Sequence, residues 1–173
     1  MTLYKALCLV VFIFGISFQA ATALESDRDQ PVEIETDSAE FDELAGLTTY
    51  RGNVHLIQGS IEVLADQIQL RTENGEIVEL IATGNPAQFE QLPDPESEKL
   101  FAQSNQIKYL LDQDLIELSG NASLSQQGTT LSGGTILYDV RQHILKASSE
   151  GSAQNTTERV RVVLPPLGSG SGL

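Results

Sequence analysis

The sequence is poor in the residues that carry most catalytic and metal chemistry. Its 173 residues include one cysteine, two histidines and no tryptophan. Cys8 has no second cysteine to pair with, so the chain cannot form an internal disulfide. Neither His55 nor His143 has a carboxylate or a second histidine at the spacing of metal ligands. We therefore expect neither a metal site nor a cofactor.

Positive charge is also scarce. Ten Lys and Arg residues stand against 24 Asp and Glu residues, which gives a net charge of −14 at pH 7. Proteins that bind nucleic acid present Lys and Arg to the phosphates. Nucleic acid is therefore not an expected partner.

Known catalytic signatures are missing as well. The sequence contains no nucleophile elbow, phosphate-binding loop or dinucleotide-binding fingerprint. Paired carboxylates offer a route to glycoside hydrolysis, but nearly every Asp and Glu falls on the polar phase of a predicted strand or in a turn. We predict that the protein is not an enzyme. A secreted carbohydrate-active protein and a structural β-repeat protein stay open as alternatives.

The N-terminal segment has the pattern of a secretory signal. Lys5 precedes a nearly unbroken apolar run over 6–18, and small residues at 21–23 suit a cleavage site. This run is short for a membrane span, which needs about 20 residues. We predict a cleaved signal peptide over 1–23 and a polar, mobile segment over 24–30. An uncleaved anchor is the alternative.

The main positive feature is a repeat of two interleaved phrases. In the first phrase, a small or turn-forming residue is followed by apolar residues two and four positions later. Its copies start at Asp37, Asp66, Asn105 and Gly134. The second phrase is Gly-Asn, and its copies start at Gly52, Gly84 and Gly120. Such recurrence is typical of one supersecondary unit that is copied and stacked.

Apolar and polar residues alternate through these repeats, and no stretch shows sustained helical spacing. Period-two alternation predicts strands with one buried and one solvated face. Asn74-Gly75 adds a strong hairpin signal. We predict an all-β domain over 31–164, built of roughly a dozen or more short antiparallel strands, with a flexible tail over 165–173.

The predicted buried face consists of Val, Ile, Leu, Phe and Tyr side chains. One interpretation is an ordinary packed core. The other is an apolar trough that holds an acyl chain, at about 0.8 kcal/mol for each buried methylene. Periodicity alone favours the packed core.

Several pieces of sequence, taken in order, resemble the periplasmic lipopolysaccharide transport proteins of the LptA/OstA type. The pieces are 29–37, 52–54, 58–61, 65–66, 84–89 and 118–122. They are spread in family order over 29–122, which is most of the predicted domain. The resemblance implies an open-ended β-jellyroll of stacked antiparallel strands, and it favours the trough over the plain core.

The resemblance also implies a function. Such a protein is a passive periplasmic carrier that moves lipopolysaccharide from the inner to the outer membrane, with the acyl chains in its interior. Its N-terminal edge would meet the jellyroll of the inner-membrane complex, and its C-terminal edge the N-terminal domain of the outer-membrane translocon. Head-to-tail self-association would use the same two edges.

Individual residues follow from the matching positions and the alternation. The resemblance implies interior lipid contacts at Val32, Ile34, Phe89, Tyr109 and Leu111. Alternation adds Leu56, Ile68, Leu70, Ile136 and Tyr138. The expected partner edges are Val32 and Ile34 at one end and Val160 and Val162 at the other.

Overall fold

The computed structural model of the protein describes residues 27–92, 98–139, 141–142, 144–149 and 159–166. The predicted signal peptide, and residues 167–173 of the predicted tail, lie outside these ranges. In the described ranges, no helix is long and apolar enough to cross a membrane. The strands are β1 (Glu33–Glu35), β2 (Ser38–Asp42), β3 (Leu47–Gln58), β4 (Ile61–Glu73), β5 (Glu76–Gln91), β6 (Leu100–Leu110), β7 (Leu115–Gln126), β8 (Thr129–Asp139), β9 (Ile144–Ser148) and β10 (Arg161–Val163).

All the strands belong to one antiparallel sheet with the order β1-β3-β4-β5-β6-β7-β8-β10. At the N-terminal edge, β1 and β2 pair with successive halves of β3. At the C-terminal edge, β10 and β9 pair with successive halves of β8. The prediction of an all-β, antiparallel fold is confirmed.

The strands are fewer and longer than predicted. The structure describes ten, and the six central ones are 11 to 16 residues long. The expectation of a dozen or more short strands is wrong because Gly-Asn marks a bend within a strand and not a turn between strands. Two predicted short runs therefore form one long, bent strand.

The bends lie side by side and form one column across the sheet. The pairing register breaks at this level in every central strand pair, from Arg51/Val54 in β3 to Ser119/Ala122 in β7. Gly-Asn stands at the bends of β3, β5 and β7, and the first phrase stands at those of β4, β6 and β8. The two interleaved phrases are thus alternate strands meeting at one bend column.

Close packing explains the glycines in this column. Gly52 has a φ of 84°, and a Cβ at this position would overlap the Asp37 carboxylate. That carboxylate accepts a hydrogen bond from Asn53 Nδ2 at 2.9 Å. At Gly120, a Cβ would stand 2.9 Å from Nδ2 of Asn105. Each phrase therefore needs the other on the neighbouring strand.

The bend column divides the sheet into two leaves that face each other. The first leaf comprises 33–35, 54–65, 87–92, 98–104, 122–133 and 161–163, and the second comprises 38–51, 67–83, 106–119, 135–139 and 144–148. Both leaves contribute to the core. Its buried members are Val54, Leu56, Val63, Ile68, Leu70, Ala82, Ala87, Phe89, Leu100, Ala102, Ile107, Leu118, Ala122 and Ile136.

The predicted mobile segment over 24–30 needs a correction. Residues 24–26 lie outside the described ranges, but Asp27–Asp29 form a short 3-10 helix. Asp27 Oδ1 accepts a hydrogen bond from Ser60 N at 2.7 Å, and Gln30 O accepts one from Gln58 Nε2 at 3.1 Å. Residues 27–30 are therefore docked on the first leaf. The prediction of mobility rested on polar composition, and composition does not reveal these long-range polar contacts.

Candidate functional site

Three rows of mainly apolar side chains cross the inner faces of the two leaves. The rows are defined by residues that pair directly across successive strands. The first-leaf row is Ile34, Leu56, Val63, Phe89, Ala102, Leu124, Leu131 and Val162. The near row, beside the bend in the second leaf, is Ala39, Tyr50, Ile68, Ala82, Ile107, Leu118, Ile136 and Ala147. The far row is Phe41, Thr48, Leu70, Leu80, Tyr109, Ile116, Tyr138 and Leu145.

A cavity lies between the first-leaf row and the far row. Its enclosed volume is about 60 Å³, and the unfilled space around it reaches about 640 Å³ when open solvent is counted. Both leaves line it, and Gln58 is its one residue with a polar amide. The lining residues are Val32, Leu56, Gln58, Ile61, Val63, Leu70, Ile77, Leu80, Phe89, Ile107, Tyr109, Leu111 and Ile116.

A second, smaller cavity continues towards the C-terminal edge. Its enclosed volume is about 20 Å³, or about 320 Å³ with open solvent counted, and its lining includes Leu100, Leu124 and Tyr138. Phe89 and Ile116 line both cavities. The two cavities are therefore neighbours with a mainly apolar lining, which extends across the strands from Val32, just before β1, to Tyr138 on β8.

The structure divides the predicted interior residues into three groups. Six line the larger cavity: Val32, Leu56, Leu70, Phe89, Tyr109 and Leu111. Tyr138 lines the smaller one. Ile34, Ile68 and Ile136 line neither. Ile68 and Ile136 have no exposed surface, and Ile34 is half-buried against the core.

Distance from the bend explains why equivalent positions differ. In each copy of the first phrase that lies in a long strand, the apolar residue at plus two falls in the near row and the one at plus four in the far row. Two residues along a strand advance about 6.6 Å, and the leaves separate with distance from the bend. In the near row, Ile68 and Ile136 therefore pack without lining a cavity, although Ile107 and Leu118 do contribute to a lining. In the far row, Leu70, Tyr109 and Tyr138 line a cavity.

Several lining residues are absent from the sequence-based prediction. Ile61, Val63, Leu80, Ile107 and Ile116 all contribute to the larger cavity. Their apolar alternation is visible in the sequence, because each occupies the same strand phase as a predicted neighbour. Alternation gives the face on which a residue lies, but it does not give the separation of the leaves at that residue.

The two ends of the rows are open. At the N-terminal edge, Val32 and Phe41 are 40% and 67% exposed. At the C-terminal edge, Val160 and Val162 are 40% and 54% exposed. All four predicted edge residues thus lie at the ends of the folded sheet, with Ile34 the most buried of them.

The outer face of the first leaf is polar at both ends and carries opposite charges there. Glu33 and Glu35 flank the inward Ile34 on β1. A row of direct cross-strand neighbours leads from Glu35 through His55 and ends at Arg161 on β10. The N-terminal edge is therefore acidic on this face and the C-terminal edge is basic.

Other charged side chains pair on the outside of the sheet. Glu79 lies 2.9 Å from Lys108 Nζ and 3.0 Å from Arg71 Nε. Hydrogen bonds from Lys108 and then Arg71 lower the pKa of Glu79, although partial burial opposes them. His55 Nε2 lies 2.8 Å from Glu62 Oε1. In the described ranges, no group of three or more His, Cys, Asp or Glu residues is arranged to hold a metal ion.

Comparisons with known proteins agree with this architecture. Residues 33–144 match the family described as LptA/(LptD N-terminal domain) LPS transport protein. The lipopolysaccharide export system protein LptH of Pseudomonas aeruginosa is 35% identical over 155 residues, which cover 87% of this chain and 89% of that protein. The export protein LptA of Escherichia coli K12 is 32% identical over 139 residues, covering 79% and 75%.

The fold is also similar to a solved structure. The crystal structure of LptH, described as the LptA-homologous periplasmic component of the lipopolysaccharide transport device of P. aeruginosa, matches with a TM-score of 0.73. The identity is 33%, and the match covers 82% of this chain and 99% of that one. These relatives are named as transport proteins and not as carbohydrate-active or structural repeat proteins.

Proposed function

The chain belongs to the family of LptA and LptD N-terminal-domain lipopolysaccharide transport proteins, and from this premise we propose that it is a non-enzymatic periplasmic carrier. It moves lipopolysaccharide from the inner towards the outer membrane and shields the acyl chains between its two leaves. The apolar interior carries this proposal, because two neighbouring cavities share Phe89 and Ile116 in their linings.

The chemistry of the interior suits an acyl chain. Each methylene transferred from water to an apolar surface contributes about 0.8 kcal/mol. An apolar lining without strong polar contacts holds the chain without fixing its position, so the chain can slide. A passive track of this kind needs no catalytic residue, and the energy for movement comes from a partner.

Individual lipid contacts follow from the cavities. We assign them to Val32, Leu56, Leu70, Phe89, Tyr109, Leu111 and Tyr138. Ile68 and Ile136 support the bend by packing, since neither has exposed surface. Ile34 serves mainly the edge, where it ends the first-leaf row.

The net charge supports a placement of the acyl chains inside the protein and of the anionic head group outside. At −14, the protein repels the anionic phosphates of lipopolysaccharide. The head group therefore stays in water outside the leaves while the acyl chains lie inside. The interaction is hydrophobic in origin, and added salt does not weaken it.

We assign the two open edges to partners. The β1/β2 edge receives the jellyroll of the inner-membrane complex, and the β9/β10 edge receives the N-terminal domain of the outer-membrane translocon. Unpaired edge strands add strands readily because their backbone groups are free on one side. The same edges allow copies of this chain to associate head to tail.

When two copies join edge to edge with their leaves aligned, the first-leaf, near and far rows each continue from one copy into the next. The strands alternate in direction from β1 to β10, so β10 of one copy meets β1 of the next antiparallel. Val162 then pairs with Ile34 on the inside, and Arg161 pairs with Glu35 on the outside. In the second leaf, Leu145 meets Phe41, so the far row also continues.

Export to the periplasm completes the proposal. Residues 1–23 act as a cleaved signal peptide, and 31–164 form the single carrier domain. Removal of 1–23 takes Lys5 away and changes the net charge from −14 to −15.

Photo-crosslinking tests the proposed function. A photoreactive residue at Tyr109 faces the larger cavity, and one at Glu62 lies on the outer face as the control. Purified lipopolysaccharide should be captured at Tyr109 and not at Glu62. The intact lipid should compete for capture, whereas its delipidated saccharide should not. Equal capture at both sites, or competition by the saccharide alone, would contradict the carrier function.

A further inference from the structure

We propose that Asp27 is a positioning residue that holds two features in place, Val32 as a wall of the cavity and β1 as the docking edge. This inference rests on the proposed function, because it concerns the segment that would meet lipid and partner. Asp27 itself touches neither cavity. It acts through the chain that leads from the short 3-10 helix into β1.

Asp27 joins two hairpins of the first leaf. Its carboxylate accepts hydrogen bonds from Ser60 N at 2.7 Å, from Ser60 Oγ at 2.9 Å and from Gln91 Nε2 at 3.0 Å. Ser60 lies in the β3–β4 turn, and Gln91 is the last residue of β5. Ser60 Oγ also accepts a hydrogen bond from Leu92 N at 3.1 Å. One carboxylate thus links three separate parts of the chain.

Gly59 allows this close contact. A Cβ on Gly59 would stand 2.5 Å from Asp27 Oδ1 and 3.1 Å from Asp27 Cα. The backbone at Gly59 also has a φ of 59°, which favours glycine. The N-terminal segment therefore rests directly on the β3–β4 turn.

β1 depends on anchors because it is a weak strand. It has three residues and pairs with β3 alone through its three positions. Its far end is held where Thr36 Oγ1 donates to Arg51 O at 3.0 Å and Asp37 N donates to Gly52 O at 3.0 Å. Its near end is held by the Asp27 contacts, together with the hydrogen bond from Gln58 Nε2 to Gln30 O. β1 is therefore held at each end by a set of polar contacts, the near anchor and the far anchor.

The residues between these anchors are those with proposed functions. Val32 lines the larger cavity, and Ile34 packs against the core. Loss of the near anchor frees the chain ahead of Val32 and lets β1 separate from β3. The cavity wall and the docking edge would then be lost together.

The ionised form of Asp27 is the form that anchors. Partial burial raises the pKa of Asp27, but hydrogen bonds from Ser60 N, Gln91 and Ser60 Oγ outweigh it, so the pKa lies below its ordinary value of 3.8. A lowered folded-state pKa stabilises the docked form above the unfolded-state value. The stabilisation is lost as the pH falls through the lowered value. At neutral pH the anchor is fully charged.

Amide hydrogen exchange on the full chain tests the positioning role. Asp27→Ala removes all three contacts, and Asp27→Asn keeps the shape but removes the charge. Asp42→Asn is the matched control, because Asp42 Oδ1 accepts a hydrogen bond from Ala45 N at 2.9 Å in a second-leaf turn. We expect exchange in β1 to rise about tenfold in Asp27→Ala, since hydrogen bonds to a charged group are stronger than those between neutral groups. The Asp27→Asn rise should be smaller, and Asp42→Asn should leave β1 unchanged.

A pH series adds a readout that a general packing role would not change. The ratio of β1 exchange in Asp27→Asn to that in the wild type should fall towards one as the pH drops below 3.8. If β1 protection is unchanged in both Asp27 variants, or if all strands lose protection equally, the positioning role is wrong.

Lipid capture separates this inference from the proposed function. A photoreactive residue at Val32 should capture lipopolysaccharide in the wild type and several-fold less in Asp27→Asn, whereas capture at Tyr109 should persist in both. Absence of capture at Val32 and Tyr109 in the wild type would contradict the carrier function itself. Equal capture at Val32 in wild type and variant would overturn the role of Asp27 alone.

Discussion

The two edges of the folded sheet are built from similar strands but are held differently. β1 and β10 each have three residues, and each pairs with one neighbour. β1 lies between polar anchors at Asp27 and Thr36, and Ile34 packs against the core. β10 pairs with β8 through its three positions, and its Val162 and Val163 are 54% and 45% exposed. The N-terminal edge is thus preformed, whereas the C-terminal edge has its apolar residues exposed.

This difference suggests distinct roles at a joint. A preformed edge can serve as a template, and the looser edge can adapt to it. Opposite charges on the outer face, acidic on β1 and basic on β10, also disfavour joints between two like edges. The following predictions test the contrast, beginning with the largest expected effect.

Ile34→Asp and Val162→Asp place a carboxylate in the same row at opposite edges. Ile34 is half-buried against the core, so Ile34→Asp should lower the free energy of unfolding by about 2–4 kcal/mol. Val162 is 54% exposed, so Val162→Asp should cost less than about 1 kcal/mol while it weakens edge-to-edge association. Urea denaturation and light scattering measure the two effects. Equal losses of stability would remove the contrast between the edges.

The bend column should be sensitive to a side chain added at one of its glycines. Gly52→Ala should cost about 2–3 kcal/mol, because a Cβ there meets Asp37 and the φ of 84° is strained for alanine. Gly75→Ala is the control. Its φ of 87° is similar, but nothing lies within 4 Å of a Cβ there, so only the strain of about 1 kcal/mol remains. Thermal unfolding gives both values, and equal costs would mean that the contact with Asp37 is unimportant.

Charge reversal tests the polarity of the joint. Replacing Arg161 with Glu should weaken association between copies about fivefold, because a cross-strand pair contributes up to about 1 kcal/mol and like charges repel. Replacing Glu35 with Arg on the partner copy should restore it. Analytical ultracentrifugation at low salt measures the change, and high salt should reduce it. Failure of the paired variant to restore association would contradict the proposed register.

The smallest expected effect concerns Glu79 on the second leaf, away from both edges. Its pKa is lowered by Lys108 and Arg71, so ionised Glu79 stabilises the fold above the ordinary value of 4.5. Glu79→Gln should cost under about 1 kcal/mol at pH 7, and the difference from wild type should shrink as the pH falls through the lowered pKa. A difference that grows at acid pH would show that the pairs do not stabilise the fold.

The sequence predicted the strand phase well because alternation depends only on which face is buried. It placed Leu56, Phe89 and Tyr109 on the inner face, where the structure has them. It did not separate Ile68 from Leu70, because both belong to one phrase and share a face. Their difference depends on the distance between the leaves, which is set by the whole bend column.

Long-range polar contacts were also beyond the sequence. Asp27 and Ser60 are 33 positions apart, and no local pattern joins a short polar segment to a distant turn. The Gly-Asn phrases were recognised as repeats, but their role as bends needs the neighbouring strand, since Asp37 fills the space over Gly52.

The central claim is that acyl chains lie between the leaves, and a photo-crosslinking scan along 107–111 tests it most directly. Ile107, Tyr109 and Leu111 line the larger cavity, whereas Lys108 lies on the outer face with Glu79. If acyl chains lie between the leaves, capture of lipopolysaccharide should alternate along the scan, high at 107, 109 and 111 and low at 108 and 110. Uniform capture, or capture that is highest at 108 and 110, would contradict it.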